Sequence, residues 1–244
     1  MTRTAWHPAF LQAIQLELED YLDVLTFESE YQLTTEPLKI DVLIIKKKKD
    51  VVIEKNIAQI FRQFNVVEYK SPKDRVSVEN YHKTQCYARL YAALNKADIS
   101  DMSVTVVATR HPRKLLAFLK HRYTVQHVQQ GIYLVEGDTC PTQIIVSEEL
   151  SGEDNLWLNS LRNDLTVEQF DRVDQSNEQK LPMDAYFHAI GEIVRQKSEI
   201  AGRTYGGGIL SKSQMKMVKL PRNDFLAVRR KGSTENEVVF MSAQ

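Results

Sequence analysis

The run Leu-Lys-Ile-Asp-Val-Leu-Ile-Ile at positions 38–45 constrains the fold of this 244-residue chain more than any other stretch. Its aliphatic and β-branched side chains read as a buried strand. A single acid, Asp41, stands inside it. An unpaired carboxylate costs several kcal/mol to bury, so Asp41 calls for a cation or hydrogen-bond donors beside it.

The other elements follow from spacing and from turn chemistry. Residues 8–25 read as an amphipathic helix, with Pro8 in the first turn and Phe10, Ile14, Leu18, Tyr21 and Leu25 at helical intervals. Residues 27–33 alternate loosely, as a strand does, before Pro37 breaks the chain. Lysines 46–49 close the buried strand in solvent, and a short helix is expected over 55–62. Residues 65–70 form the next strand, stopped at Ser71-Pro72 because proline cannot donate to a sheet ladder. A long helix over 77–95 enters through Ser77, whose pairing with Asn80 approximates a capping box. A buried strand over 104–109 and a helix opened by Pro112 complete the order αβββαβα. Beyond these, residues 123–128 and 132–135 suggest a hairpin around Gly131, 143–146 a further strand, and 154–175 and 183–200 two amphipathic helices.

This is an α/β (α+β) pattern with a mixed central sheet and a C-terminal helical extension. We expect a main domain over 1–150, a helical extension packed on it over 151–202, and a basic tail over 203–244. The net charge of zero conceals that tail: between Arg203 and Gly232 eight basic residues face one acid, Asp224, a local +7 against −7 elsewhere. Such a tail either holds a polyanion or remains a solvated terminus. The two cysteines, Cys86 and Cys140, fit neither a disulfide framework nor a zinc site. Glu17, Glu19 and Asp20 interrupt any signal-peptide pattern, and no apolar run approaches the roughly 20 residues a membrane span needs, so a cytoplasmic protein without a membrane partner is expected.

The tripeptide Glu68-Tyr69-Lys70 carries the chemistry. On a strand, residues i and i+2 share a face, so a carboxylate and an ammonium project side by side while Tyr69 turns into packing. Helix, strand, strand with Asp41, strand with Glu-x-Lys and helix together resemble the αβββαβ core of the PD-(D/E)XK nuclease superfamily, the restriction-endonuclease-like fold, which includes transposase-like nucleases. The resemblance implies that Asp41, Glu68 and the Tyr69 carbonyl hold Mg²⁺, or Mn²⁺, and that Lys70 orients or activates the attacking water. Independently of any family, hard oxygen donors suit Mg²⁺, and a cation beside a metal-bound water favours hydroxide and the pentacovalent phosphate.

The resemblance also implies a glutamate from the first helix. At about 100° per residue, Glu17 shares the apolar arc of Phe10, Ile14 and Tyr21, whereas Glu19 falls opposite, so Glu17 is the expected extra ligand. Glu54, in the 27-residue step between Asp41 and Glu68, is a rival. Tyr81 and Gln85 share one face of the long helix and are candidates to line the site. Arg110, Arg113 and Lys114 surround Pro112 where a strand meets a helix, a setting that can bind phosphate. The resemblance implies a Mg²⁺-dependent nuclease, a hydrolase of nucleic acid with DNA ahead of RNA, linked to mobile DNA or recombination; a homo-oligomer is compatible with it. A catalytically silent nucleic-acid-binding protein, or an interaction module presenting helices 154–200, would use the same residues differently.

Overall fold

The computed structural model describes residues 6–29, 42–48, 50–176, 184–200, 225–229 and 238–242. Helix α1 (Trp6–Glu17) is followed by strands β1 (Leu25–Glu28), β2 (Val42–Lys47) and β3 (Phe64–Lys70), helix α2 (Val78–Asn95), strand β4 (Met102–Ala108) and helix α3 (Arg113–Arg122). Strands β5 (Thr124–Gln129), β6 (Ile132–Glu136) and β7 (Thr142–Val146) come next, then helices α4 (Leu156–Asn159), α5 (Val167–Gln175) and α6 (Asp184–Ile200). A separate two-stranded sheet pairs β8 (Phe225–Arg229) with β9 (Val238–Ser242).

The chain is α/β, built on a seven-stranded mixed sheet in the order β1-β2-β3-β4-β7-β6-β5. Strands β3, β4 and β7 run parallel, and the remaining neighbours in this sheet are antiparallel. Both faces are covered, which explains why β4 and β7 are buried along their whole length. Val67 and Tyr69 of β3 face one apolar layer with α1, α4, α5 and α6, whereas Val66 faces a second layer with α2 and α3. That alternation fixes the side on which Glu68 and Lys70 lie. Asn65, fully buried, locks the register: its amide nitrogen donates to the carbonyls of Ile45 (2.9 Å) and Arg62 (2.8 Å), and its oxygen accepts from Arg62 N–H (2.7 Å) and Ser103 Oγ (2.6 Å).

Several elements depart from the expected boundaries. The first helix stops at Glu17 and gives way to a 3₁₀ turn over Glu19–Tyr21, because Leu25 is already committed to β1. Lysines 46 and 47 belong to β2, where Lys46 reaches Glu28 across the β1–β2 pair at 2.7 Å. The helix expected over 55–62 is a single 3₁₀ turn, Asn56–Ala58. The helix expected over 154–175 is two: Leu161 and Leu165 are drawn into the core between them, and Thr166 restarts the helix through a capping box with Gln169. The expected basic tail carries the antiparallel β8–β9 pair, whose Phe-Leu-Ala-Val and Val-Val-Phe-Met runs are short and strand-forming. Among the described residues, no helix is long and apolar enough to cross a membrane.

Candidate active site at the carboxyl edge of the sheet

The parallel register aligns Lys70 with Ala108 and Ala108 with Val146, so β3, β4 and β7 end together along one edge. Open α/β sheets bind ligands outside the carboxyl ends of their strands. The segments leaving that edge are tied to one another: Thr109 Oγ1 donates to the Lys70 carbonyl at 3.5 Å, and Glu148 N–H donates to the Thr109 carbonyl at 3.1 Å.

Glu68 and Lys70 share the α2 side of β3, as their spacing requires, and Lys70 Nζ lies 2.6 Å from Glu68 Oε1. The Glu68 side chain is 8% exposed and that of Lys70 21%, so this carboxylate–ammonium pair sits just under the surface of the edge. Tyr69 turns its ring into the opposite layer, stacked on Phe10 with centroids 4.3 Å apart. Burial there raises the Tyr69 phenol far above its ordinary pKa. Only its backbone stays with Glu68 and Lys70. Arg110, Arg113 and Lys114 are exposed around the start of α3, on segments leaving the same edge.

No family model, no curated protein and no solved structure matches this chain.

Asp41 lies outside the described residues; the first described residue of β2, Val42, is the cross-strand partner of Glu68. The remaining expected ligand, Glu17, is not brought to Glu68. It is buried, as its place on the helical wheel implied, but α1 packs on the Val67 and Tyr69 side of the sheet. Both of its oxygens are engaged there, Oε1 by the Leu158 N–H at 2.9 Å and Oε2 by Lys55 Nζ at 2.8 Å. Glu17 is therefore removed from the ligand set. Glu54 is exposed and its N–H donates to Tyr21 Oη at 3.2 Å. Among the described residues no group of three or more His, Cys, Asp or Glu side chains is gathered as a metal site.

Tyr81 and Gln85 are likewise corrected as substrate-binding residues. Tyr81 is fully buried and donates to Asp138 Oδ2, and Gln85, 3% exposed, donates to Thr142 Oγ1 at 2.9 Å. Thr142 is level with Val66, four residues and about 13 Å down the strands from Lys70. The two side chains thus anchor α2 to the segment before β7 and to the first residue of β7, and burial followed by the Asp138 carboxylate holds the Tyr81 phenol well above its usual pKa.

A cavity of about 430 Å³ opens elsewhere, lined by Glu17, Lys55, Trp157 and the carboxylates of Glu19, Asp20 and Glu153. Its acidic lining would repel a polyanion. The edge also contains a cluster that no local motif announces. Glu149 accepts from Tyr133 Oη on Oε2 at 2.9 Å and meets His111 Nδ1 on Oε1 at 2.6 Å. These residues come from three separate segments, and only the apposition of β4, β6 and β7 assembles them.

Proposed function

We propose that the carboxyl edge of the sheet hydrolyses phosphodiester bonds of nucleic acid, DNA ahead of RNA, with Mg²⁺ or Mn²⁺. The observation that carries this reading is the nearly buried Glu68–Lys70 pair, at 2.6 Å, on the last residues of β3 where the parallel strands end. Further support comes from the order of elements through β4, with β1, β2 and β3 antiparallel and β4 parallel to β3, in keeping with the αβββαβ order of the PD-(D/E)XK superfamily. The exposed Arg110, Arg113 and Lys114 supply cations for phosphate beside it.

In this reading Glu68, the Tyr69 carbonyl and Asp41 hold the metal. The ion would supply Lewis acidity and lower the pKa of a bound water. Lys70 orients the attacking water and offsets charge on the phosphate, and the three basic residues hold the substrate backbone. Cross-strand partners share a face, and Val42 already shares that of Glu68. Convergence of an Asp41 carboxylate on Glu68 therefore depends on the chain leaving regular pleating before Val42. The protein would be cytoplasmic, with a role in the movement or recombination of DNA.

Cleavage of single- and double-stranded DNA and RNA with Mg²⁺ or Mn²⁺ tests the reading, alongside Mn²⁺ affinity of the wild type, Asp41→Asn and Glu68→Gln. We expect metal-dependent cleavage, lost in both variants together with Mn²⁺ binding. Wild-type metal affinity in Asp41→Asn removes Asp41 from the site, and no cleavage of any substrate overturns the nuclease reading. A second reading, a silent nucleic-acid-binding protein, is favoured by the direct neutralisation of Glu68 by Lys70. It expects salt-dependent binding with no cleavage by either metal.

A further inference from the structure

His111, Glu149 and Tyr133 form a relay that the proposed hydrolysis does not yet use. Glu149 lies in a 3₁₀ turn, Ser147–Glu149, that is fixed at both sides: Glu148 N–H donates to the Thr109 carbonyl at 3.1 Å, and Asn159 Nδ2 donates to the carbonyls of Ser147 at 3.2 Å and Leu150 at 3.0 Å. Tyr133 Oη occupies one carboxylate oxygen, and burial together with Glu149 pushes this phenol up to about 12, so it remains a donor. The Tyr133 ring is itself clamped, stacked on His127 at 4.5 Å and edge-on to His111 at 5.7 Å. The other carboxylate oxygen meets His111 Nδ1 at 2.6 Å. A carboxylate can only accept, so Nδ1 carries the hydrogen and the ring's orientation is set. Among the described residues this is the only hydrogen bond of the His111 ring, and 39% of the side chain is exposed.

The relay shares the face and the edge of Lys70. Tyr133 belongs to the same apolar layer as Val66, the face on which Glu68 and Lys70 also lie. His111 leaves β4, the strand next to β3, three residues beyond Ala108, the partner of Lys70. Lys70 and Tyr133 stand on strands three places apart, about 14 Å, and His111 follows two residues after Thr109, whose Oγ1 donates to the Lys70 carbonyl. In-line displacement needs roughly 9 Å between the group holding the water and the group protonating the leaving oxygen, two hydrogen bonds of about 3 Å plus the reacting atoms. The interval accommodates it.

We propose that His111, oriented by Glu149, donates the proton to the leaving oxygen of the phosphodiester whose attacking water is held at Lys70; this rests on the nuclease reading above. The water oxygen bonds to phosphorus as the opposite P–O bond breaks, and that bond's electron pair goes to the leaving sugar oxygen. This oxygen takes the Nε2 proton of the imidazolium. The water's proton passes to solvent, from which the imidazole is reprotonated, and the products are a phosphate monoester and an alcohol. Glu149 and Tyr133 are positioning residues.

The test exploits the leaving group. A sugar alkoxide needs the proton, whereas 4-nitrophenolate does not, so His111→Gln and His111→Asn are compared with the wild type on DNA and on bis(4-nitrophenyl) phosphate. We expect DNA cleavage to fall by about 10²- to 10⁴-fold, the usual weight of acid catalysis, while cleavage of the activated ester stays within a factor of a few. Glu149→Gln should show the same split more weakly. Equal losses on both substrates, or none on either, overturn the assignment of His111 while the nuclease reading stands. If the wild type cleaves neither substrate, the nuclease reading fails and His111 loses this role with it.

Discussion

Two buried glutamates, each beside one lysine, separate the legible from the illegible at the scale of the residue. The helical wheel placed Glu17 on the buried arc of α1, and Glu17 is 5% exposed. A wheel reports burial but not which layer covers the helix, so it could not tell that α1 lies across the sheet from Glu68. On β3 the period of two did suffice, because Val66 and Val67 head opposite layers and everything two residues on follows. Burial is the largest influence on Glu17 and raises its pKa above 4.5, with Lys55 partly offsetting it. The folded state then holds this proton more tightly than the unfolded chain. The contribution of Glu17 to stability accordingly declines as pH rises from 4.5 through the raised value. Relative to Glu17→Gln, which does not titrate, wild-type urea midpoints should drop across that window; a difference independent of pH contradicts the assignment. Asn65 makes a second residue-scale case, since its amide serves Ile45, Arg62 and Ser103 at once. Asn65→Ala strips partners from buried groups and should cost about 3 kcal/mol or more in chemical denaturation, each orphaned group accounting for roughly 1–3.

At the scale of the element, ends were harder to read than centres. The centre of α2 was plain from its spacing, and its start was legible as Ser77 followed by Asn80. Both capping-box bonds close: Asn80 N–H donates to Ser77 Oγ at 3.2 Å and Ser77 N–H to Asn80 Oδ1 at 3.0 Å. Its other end falls at Lys96, which takes a left-handed conformation with φ 52° that no residue type there announces. A side chain in that conformation costs about 1–2 kcal/mol, and glycine loses about 0.5–1 kcal/mol more on ordering. Lys96→Gly should therefore stabilise by a few tenths to about 1 kcal/mol, read as a rise in thermal midpoint; destabilisation contradicts the cap assignment. Gly131 is the stricter position. At φ +74° a Cβ there would meet the Val146 carbonyl oxygen at 2.7 Å and the Leu150 nitrogen at 2.9 Å, in the turn that carries Glu149. Backbone must yield, so Gly131→Ala should both destabilise the fold and weaken any property that depends on the His111–Glu149 contact.

For the whole molecule, the order from β1 through β4 was readable because each of these elements packs with a near neighbour in sequence, whereas α1 packs on α4 and α6. In the far half the hairpin around Gly131 and the strand over 143–146 were readable, but the order of the strands was not. Strand β7 follows β6 in the chain yet lies between β6 and β4, a placement set by long-range pairing and coverage of both faces, not by any local pattern. The His111–Glu149–Tyr133 cluster depends on that placement and was invisible for the same reason. The sequence concentrates +7 between positions 203 and 232. Removing residues 203–244 should weaken nucleic-acid binding and flatten its dependence on salt, because fewer counterions are released; an unchanged slope rules the tail out as a contact. If the Glu68–Lys70 edge is a nuclease site as proposed, Lys70 is the residue whose loss should separate chemistry from binding. The direct measurement is metal-dependent cleavage of DNA by the wild type and by Lys70→Ala, matched for far-UV circular dichroism and thermal midpoint. Cleavage by the wild type and its abolition in a folded Lys70→Ala that still binds DNA is the predicted result; equal cleavage by the two proteins would contradict it.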